Sequence, residues 1–261
     1  MQQVIVTTGG RPDEASELLA KQVSEELGVP CIKRKKRSVT KLSTIYDANV
    51  LVAGKNRLEY YTKGSTTPFF FHPDTAAFRL KRVARGETEP FLEACGLEKG
   101  DIFLDCTLGI ASDAIIASHA VGETGKVIGL EVEPTIAYLV RRGLREYETS
   151  DTTLKTAMGR ITVIQSEAIE FLQQQQNDAF DVVYMDPMFE ELIEESNNFE
   201  ALRGAGSHHP LTEVWVREAY RVAKKRVVLK AHFRSTLFED FGFQRNERLT
   251  AKFHFGVLEK I

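Results

Sequence analysis

Cysteine is scarce in this 261-residue chain: Cys31, Cys95 and Cys106 are the only three. Their spacing fits neither a zinc site nor a redox pair, and their apolar neighbours predict buried thiols in a reducing compartment. No apolar run approaches the roughly 18 residues that a membrane-spanning helix needs. Met1–Gly10 also lacks the basic-then-apolar layout of a secretory leader. These absences predict a cytoplasmic protein without a membrane partner. His208 and His209 are adjacent but have no accompanying carboxylate–histidine motif, so no metal is expected. No GxxxxGK(S/T) occurs, which leaves an ATP-cradling loop unsupported. Excess positive charge is missing too. The formal net charge of −3 argues against indiscriminate nucleic-acid binding. That average hides a division: residues 1–75 hold 11 basic and 8 acidic side chains, and the remainder 23 and 29. An electrostatic footprint for RNA therefore belongs to the front segment or to local patches.

What the chain does contain is a pair of short apolar runs that each end on a carboxylate. Ile102–Asp113 reads IFLDCTLGIASD and Asp181–Phe189 reads DVVYMDPMF. Each predicts a buried parallel strand that delivers an acid to the carboxyl edge of a sheet, where open α/β sheets bind ligands. Between them Lys126–Glu131 (KVIGLE) ends on Glu131, 26 positions after Asp105. That spacing suits a carboxylate reaching a ribose hydroxyl, so an adenosine-containing cofactor is predicted. A dinucleotide needs three glycines to bring backbone amides up to its pyrophosphate, whereas Thr107–Asp113 offers only Gly109. One glycine suits an adenosine cofactor with no phosphate to cradle, such as S-adenosylmethionine (SAM).

Asp105–Asp113 (DCTLGIASD), Glu131 and Asp186–Phe189 (DPMF) resemble the nucleotide-binding, ribose and catalytic motifs of class I SAM-dependent methyltransferases. The DPM-aromatic form, with Val227–Lys230 (VVLK) on a later strand, is most similar to the bacterial guanine-N2 methyltransferases of small-subunit ribosomal RNA. The resemblance covers about residues 75–258. It implies an α/β fold: a Rossmann-like sheet with an antiparallel C-terminal hairpin. It further implies that Asp105, Thr107, Gly109 and the amides near Ser112 and Asp113 hold the cofactor, Glu131 its ribose and Glu167 the adenine side. Glu167 can equally cap a helix. Asp186, Pro187, Met188 and Phe189 become the catalytic group. Asp186 and the Pro187 and Met188 carbonyls take the two N–H groups of an exocyclic amine, and Phe189 stacks on the base.

Three regions are expected: a small N-terminal α/β domain over 1–67, a linker with lead-in helices over 68–100, and the SAM-binding domain over 101–261. In the first, Gly9-Gly10 makes a β-to-α turn or binds an anion at a helix start. Lys33, Arg34, Lys35, Lys36 and Arg37 form an unbroken basic run, either a solvated face or a phosphate grip. Arg79, Arg82 and Arg85, at helical spacing, either line an RNA groove or stay solvated. Lys230, at a strand end, either holds substrate or faces solvent. The chain departs from the ribosomal enzymes over residues 190–213, where six glutamates face the single base Arg203. An acidic segment repels phosphate. Residues 204–210 are expected to form a loop over the site. Three readings follow: an RNA guanine-N2 methyltransferase acting on ribosomal RNA or the small subunit, a methyltransferase of a small-molecule or protein acceptor, and a noncatalytic RNA-binding protein that keeps the fold.

Overall fold

The computed structural model describes residues 3–187, 210–248 and 251–261. They divide into two units between Phe71 and His72. In the first, Val4–Thr8 (β1) and Asn49–Ala53 (β2) pair in parallel, and Leu58–Tyr61 (β3) runs antiparallel to β2. Glu14–Leu27 (α1) begins where Asp13 and Ser16 cap it reciprocally, the Asp13 carboxylate accepting from the Ser16 N–H at 3.0 Å. Val39–Tyr46 (α2) is capped by Ser38. Period-two alternation puts Ile5, Val50 and Val52 on one face, where Leu42 of α2 packs on them.

The second unit opens with Asp74–Ala84 (α3) and Pro90–Cys95 (α4). Its sheet holds Ile102–Asp105 (β4), Lys126–Glu131 (β5), Ile161–Gln165 (β6), Phe180–Met185 (β7), Ala223–His232 (β8), Gln244–Asn246 (β9) and Phe253–Glu259 (β10). The order is β6-β5-β4-β7-β8-β10-β9, parallel from β6 to β8. The expected antiparallel closure is present, with β10 lying between β8 and β9 and antiparallel to both.

Chain direction across the sheet fixes the layers. Ser112–Val121 (α5), Pro134–Glu146 (α6) and Thr152–Gly159 (α7) connect strands stepping outward from β4 to β6. Ala168–Gln173 (α8) and Glu213–Val222 (α9) connect strands stepping the other way. Right-handed crossovers in opposite directions place the two sets on opposite faces. Leu172 of α8 and Trp215 and Ala219 of α9 accordingly bury Leu104, Val183, Met185 and Leu229. The polarity reverses at β4 and β7, so those two strands flank the crevice at the carboxyl edge. Leu237–Asp240 (α10) follows β8 and seats Phe238 in the same core. Among the described residues no helix is long and apolar enough to cross a membrane.

Candidate active site

Three adjacent strands, β5, β4 and β7, carry Glu131, Asp105 and Asp186 to one edge. Thr107 ties two of them together. Its N–H and hydroxyl both donate to the Asp105 carboxylate, at 2.9 and 3.3 Å, while its hydroxyl oxygen accepts the Asp186 N–H at 2.8 Å. The turn beyond it depends on close approach. Leu108 lies over Gly129 of β5, where a Cβ would come within 2.3 Å of the leucine side chain. Gly109 and Ala111 have φ of 49° and 66°. The left-handed region costs Ala111 about 1–2 kcal/mol, strain held immediately before α5. No side chain caps α5 at this point, so its first turn presents backbone amides at the carboxyl edge.

The carboxylates sit in contrasting electrostatic surroundings. Asp105 is buried, among the described residues accepts only from Thr107, and burial pushes its carboxyl up to about 8. Glu131 is also buried, accepts from the Glu133 N–H at 3.0 Å, and is raised by burial to about 7. Neither is ion-paired among the described residues. Asp113, in the first turn of α5, is instead surrounded by donors. Arg79 reaches it at 2.6 Å, the Tyr184 hydroxyl donates to it at 2.8 Å, and Lys230 lies at 3.4 Å. Burial alone would raise its carboxyl, but Lys230 and Arg79 outweigh burial and hold it well below the ordinary carboxylate range. Lys230 also donates to Asp186 at 2.7 Å. Asp113 and Asp186 overcome the burial of that ammonium and raise its pKa above the ordinary lysine value.

This network corrects the expectation for Arg79. Arg79 is neither solvated nor on an open groove: it is 16% exposed and joins Asp113 to Glu89, itself 8% exposed, at 2.8 Å. Arg82 pairs with Glu87 on the surface. Lys230, its side chain 23% exposed, bridges Asp113 and Asp186. Glu167 caps α8 by accepting the Glu170 N–H at 2.8 Å, at the carboxyl end of β6. Pro187 is buried directly after Asp186, whereas Met188, Phe189, residues 204–209 and most of the acidic 190–213 segment lie outside the described residues. The basic run belongs to the first unit. There Lys33, Lys35 and Lys36 are exposed, and Arg34 is tied to the Thr8 and Arg37 carbonyls.

Arg79, Glu89 and Tyr184 were not singled out from the sequence as parts of the site. Tyr184 carried a signal, since it lies two residues before Asp186 and so shares its face of β7. The Tyr184 ring is propped edge-on by Phe91 of α4, with centroids 5.1 Å apart. Cys106 is buried beside the turn, and burial pushes its thiol far above the ordinary value, which leaves no nucleophilic thiolate there.

A parallel sheet reversing at β4 and β7, an antiparallel closing strand and a row of carboxylates at the carboxyl edge make up the Rossmann-like fold of class I methyltransferases. Residues 40–246 match the model of a family described as putative SAM-dependent methyltransferase, and the chain belongs to that family. It is an enzyme, and its cofactor is SAM. The chain is 48% identical to the uncharacterized protein YpiP of Bacillus subtilis, over 98% of this chain and 99% of the other. It is 28% identical to a ribosomal RNA small subunit methyltransferase J of Nitrosococcus oceani, over 81% and 82% of the two chains. The SAM-dependent methyltransferase NGO1261 of Neisseria gonorrhoeae shares the fold, with a TM-score of 0.62 at 19% identity over 98% of this chain and 96% of that one.

Proposed function

We propose that the protein N-methylates an exocyclic base amine of ribosomal RNA, guanine N2 in particular, with Asp186 receiving the amine. The observation that carries this reading is the Lys230 ammonium on the Asp186 carboxylate at 2.7 Å. That bond fixes the orientation of a carboxylate, an acceptor-only group to which an incoming amine N–H can donate. The ribosomal methyltransferase among the relatives supports RNA as the carrier of that amine.

The donor set also fits SAM. Buried, uncharged-partner carboxylates are costly unless a ligand supplies hydrogen-bond donors. Glu131 suits the paired hydroxyls of a ribose, and Asp105 with the α5 amides suits the ammonium and carboxylate of a methionine moiety. Glu167, at the neighbouring strand end, is assigned to the adenine side. When bound, the cofactor supplies an electrophilic methyl group on a sulfonium.

The chain's own task is then positioning. Asp186 accepts one amine N–H and the Pro187 carbonyl the other, which orients the nitrogen lone pair. Thr107 fixes the Asp186 backbone relative to Asp105, so acceptor and cofactor ends of the site share one anchor. Phe189, by its place in the DPMF motif, is assigned to stack on a base drawn out of its helix. The first-unit basic run supplies phosphate attraction.

The test is transfer of labelled methyl from SAM to RNA, to intact small subunits and to a protein-free metabolite extract, all from a strain lacking the protein. Label in RNA that disappears with Asp186→Ala is expected. The six glutamates between 190 and 213 favour a second reading, a non-RNA acceptor, and label confined to the metabolite fraction would establish it.

A further inference from the structure

The first unit has its own carboxyl edge, distinct from the edge that carries Asp186. Cys31 forms a parallel bridge with Val6, the Ile32 N–H donating to the Val6 carbonyl at 2.7 Å, so a third chain segment runs beside β1 opposite β2. From β1 the chain passes through α1 to that segment. From the segment it returns through α2, across β1, to β2. Two right-handed crossovers in opposite directions leave by opposite faces, so the loops after β1 and after Cys31 part and open a crevice between them.

A cavity of about 410 Å³ occurs at this edge. It is lined by Gly9 and Gly10 after β1, Arg34 after the Cys31 segment, and Lys55 and Arg57 after β2, with Val39 and Val52 among its apolar walls. Its size falls within the range of small-ligand sites, about 300–1,000 Å³.

The two guanidinium groups are anchored rather than free to swing, whereas Lys55 is exposed. Arg34 donates through Nε to the Arg37 carbonyl at 3.0 Å and through Nη1 to the Thr8 carbonyl at 2.9 Å. Arg57 lies over the Phe70 ring, 3.7 Å from its centroid. A fixed guanidinium retains unspent N–H donors for a planar or tetrahedral oxyanion. Two acids bear on the same crevice. Glu59 is held by Arg57 at 2.8 Å and by the Tyr61 hydroxyl at 3.0 Å, and Asp13 lies 3.8 Å from Lys55. Three cations against two partnered carboxylates leave a positive excess. The cation excess cannot be assigned to the start of α1, because Asp13 and Ser16 already cap that end.

We propose that this crevice binds a phosphoester, with Arg34, Lys55 and Arg57 on the phosphate and the Val39–Val52 wall against its organic part. The phosphate comes either from a free phosphomonoester or from an RNA chain. The RNA source rests on the methyl-transfer reading; a free phosphomonoester does not, because it need not carry the acceptor amine.

Cytidine 5′-monophosphate and cytidine, which differ only in the phosphate, are titrated into the full-length, isotope-labelled protein without SAM. The monophosphate is expected to shift the amide signals of Gly9, Gly10 and Lys55 saturably, and cytidine is not. Lys55 and Arg57 are 69% and 51% exposed, so K55Q/R57Q should fold normally while weakening the monophosphate about tenfold or more. Equal shifts from cytidine, shifts spread over the surface, or unchanged affinity in K55Q/R57Q would overturn the proposal. Competition by a 5′-hydroxyl oligocytidylate assigns the phosphate to an RNA chain; its failure to compete assigns a free phosphomonoester.

Discussion

Replacing Arg79 with methionine isolates the structural cost of the buried network. Arg79 spans Asp113 at 2.6 Å and Glu89 at 2.8 Å, and the three side chains are 16%, 13% and 8% exposed. Methionine keeps most of the volume but leaves both carboxylates without their shared cation. Removing one member of a buried ion pair costs about 3–5 kcal/mol. In a chain of this size each kcal/mol lowers Tm by roughly 2–4 °C, so R79M should melt about 6–20 °C below the parent. Trp215, the only tryptophan, is buried in the second unit and reports that unit's unfolding directly. Arg85→Met is the control, since Arg85 is 72% exposed and meets Glu87 only at 3.9 Å; its effect should stay below about 1 kcal/mol. The pH dependence carries a sign. Asp113 has a lowered carboxyl pKa in the folded state, so its stabilisation is present above about 3.8 and is lost as pH falls through the depressed value. R79M should blunt that acid loss. Equal melting of R79M and R85M would refute the assignment of Arg79 to the interior network.

Glu131 has the opposite sign. Its folded pKa of about 7 lies above the ordinary 4.5, so the folded state keeps a proton that the unfolded chain has released. SAM-free stability should therefore fall as pH rises from about 4.5 to 7, by about 3 kcal/mol, and Glu131→Gln should flatten that decline in denaturant titrations across this window. Gly129→Ala puts a methyl against Leu108 and should cost about 1–3 kcal/mol, with weaker SAM binding by calorimetry because Leu108 belongs to the 107–111 turn. Lys230→Met removes the donor that orients Asp186. Single-turnover methyl transfer should slow about tenfold or more with SAM affinity changed by less than about threefold, and a parental rate would remove Lys230 from the site.

The carboxylates were legible in the sequence because each closes an apolar strand, and such a run can present its polar end only at the sheet edge. Asp105, Glu131 and Asp186 are placed by that logic, and the single glycine at 109 by the turn that follows β4. The cations that hold the site together were harder to read. Lys230 ends VVLK in register beside Asp186, since Met185 pairs with Leu229. A lysine at a strand end is nonetheless compatible with solvent until the neighbouring strand is known. Arg79 is harder still. It belongs to a helix outside the core repeat, and its spacing with Arg82 and Arg85 describes a basic stripe equally well. Only tertiary packing separates them: Arg79 faces Asp113 and Glu89, while Arg82 and Arg85 reach Glu87 at the surface. The same distinction applies in the first unit. Lys33–Arg37 reads as one patch, but its members differ once the chain turns. Lys35 and Lys36 take left-handed φ of 47° and 59°, and Arg34 folds back to the Thr8 carbonyl. A basic run in sequence thus yields one anchored guanidinium at a strand edge and three exposed lysines, and it is the anchored one that lines the crevice.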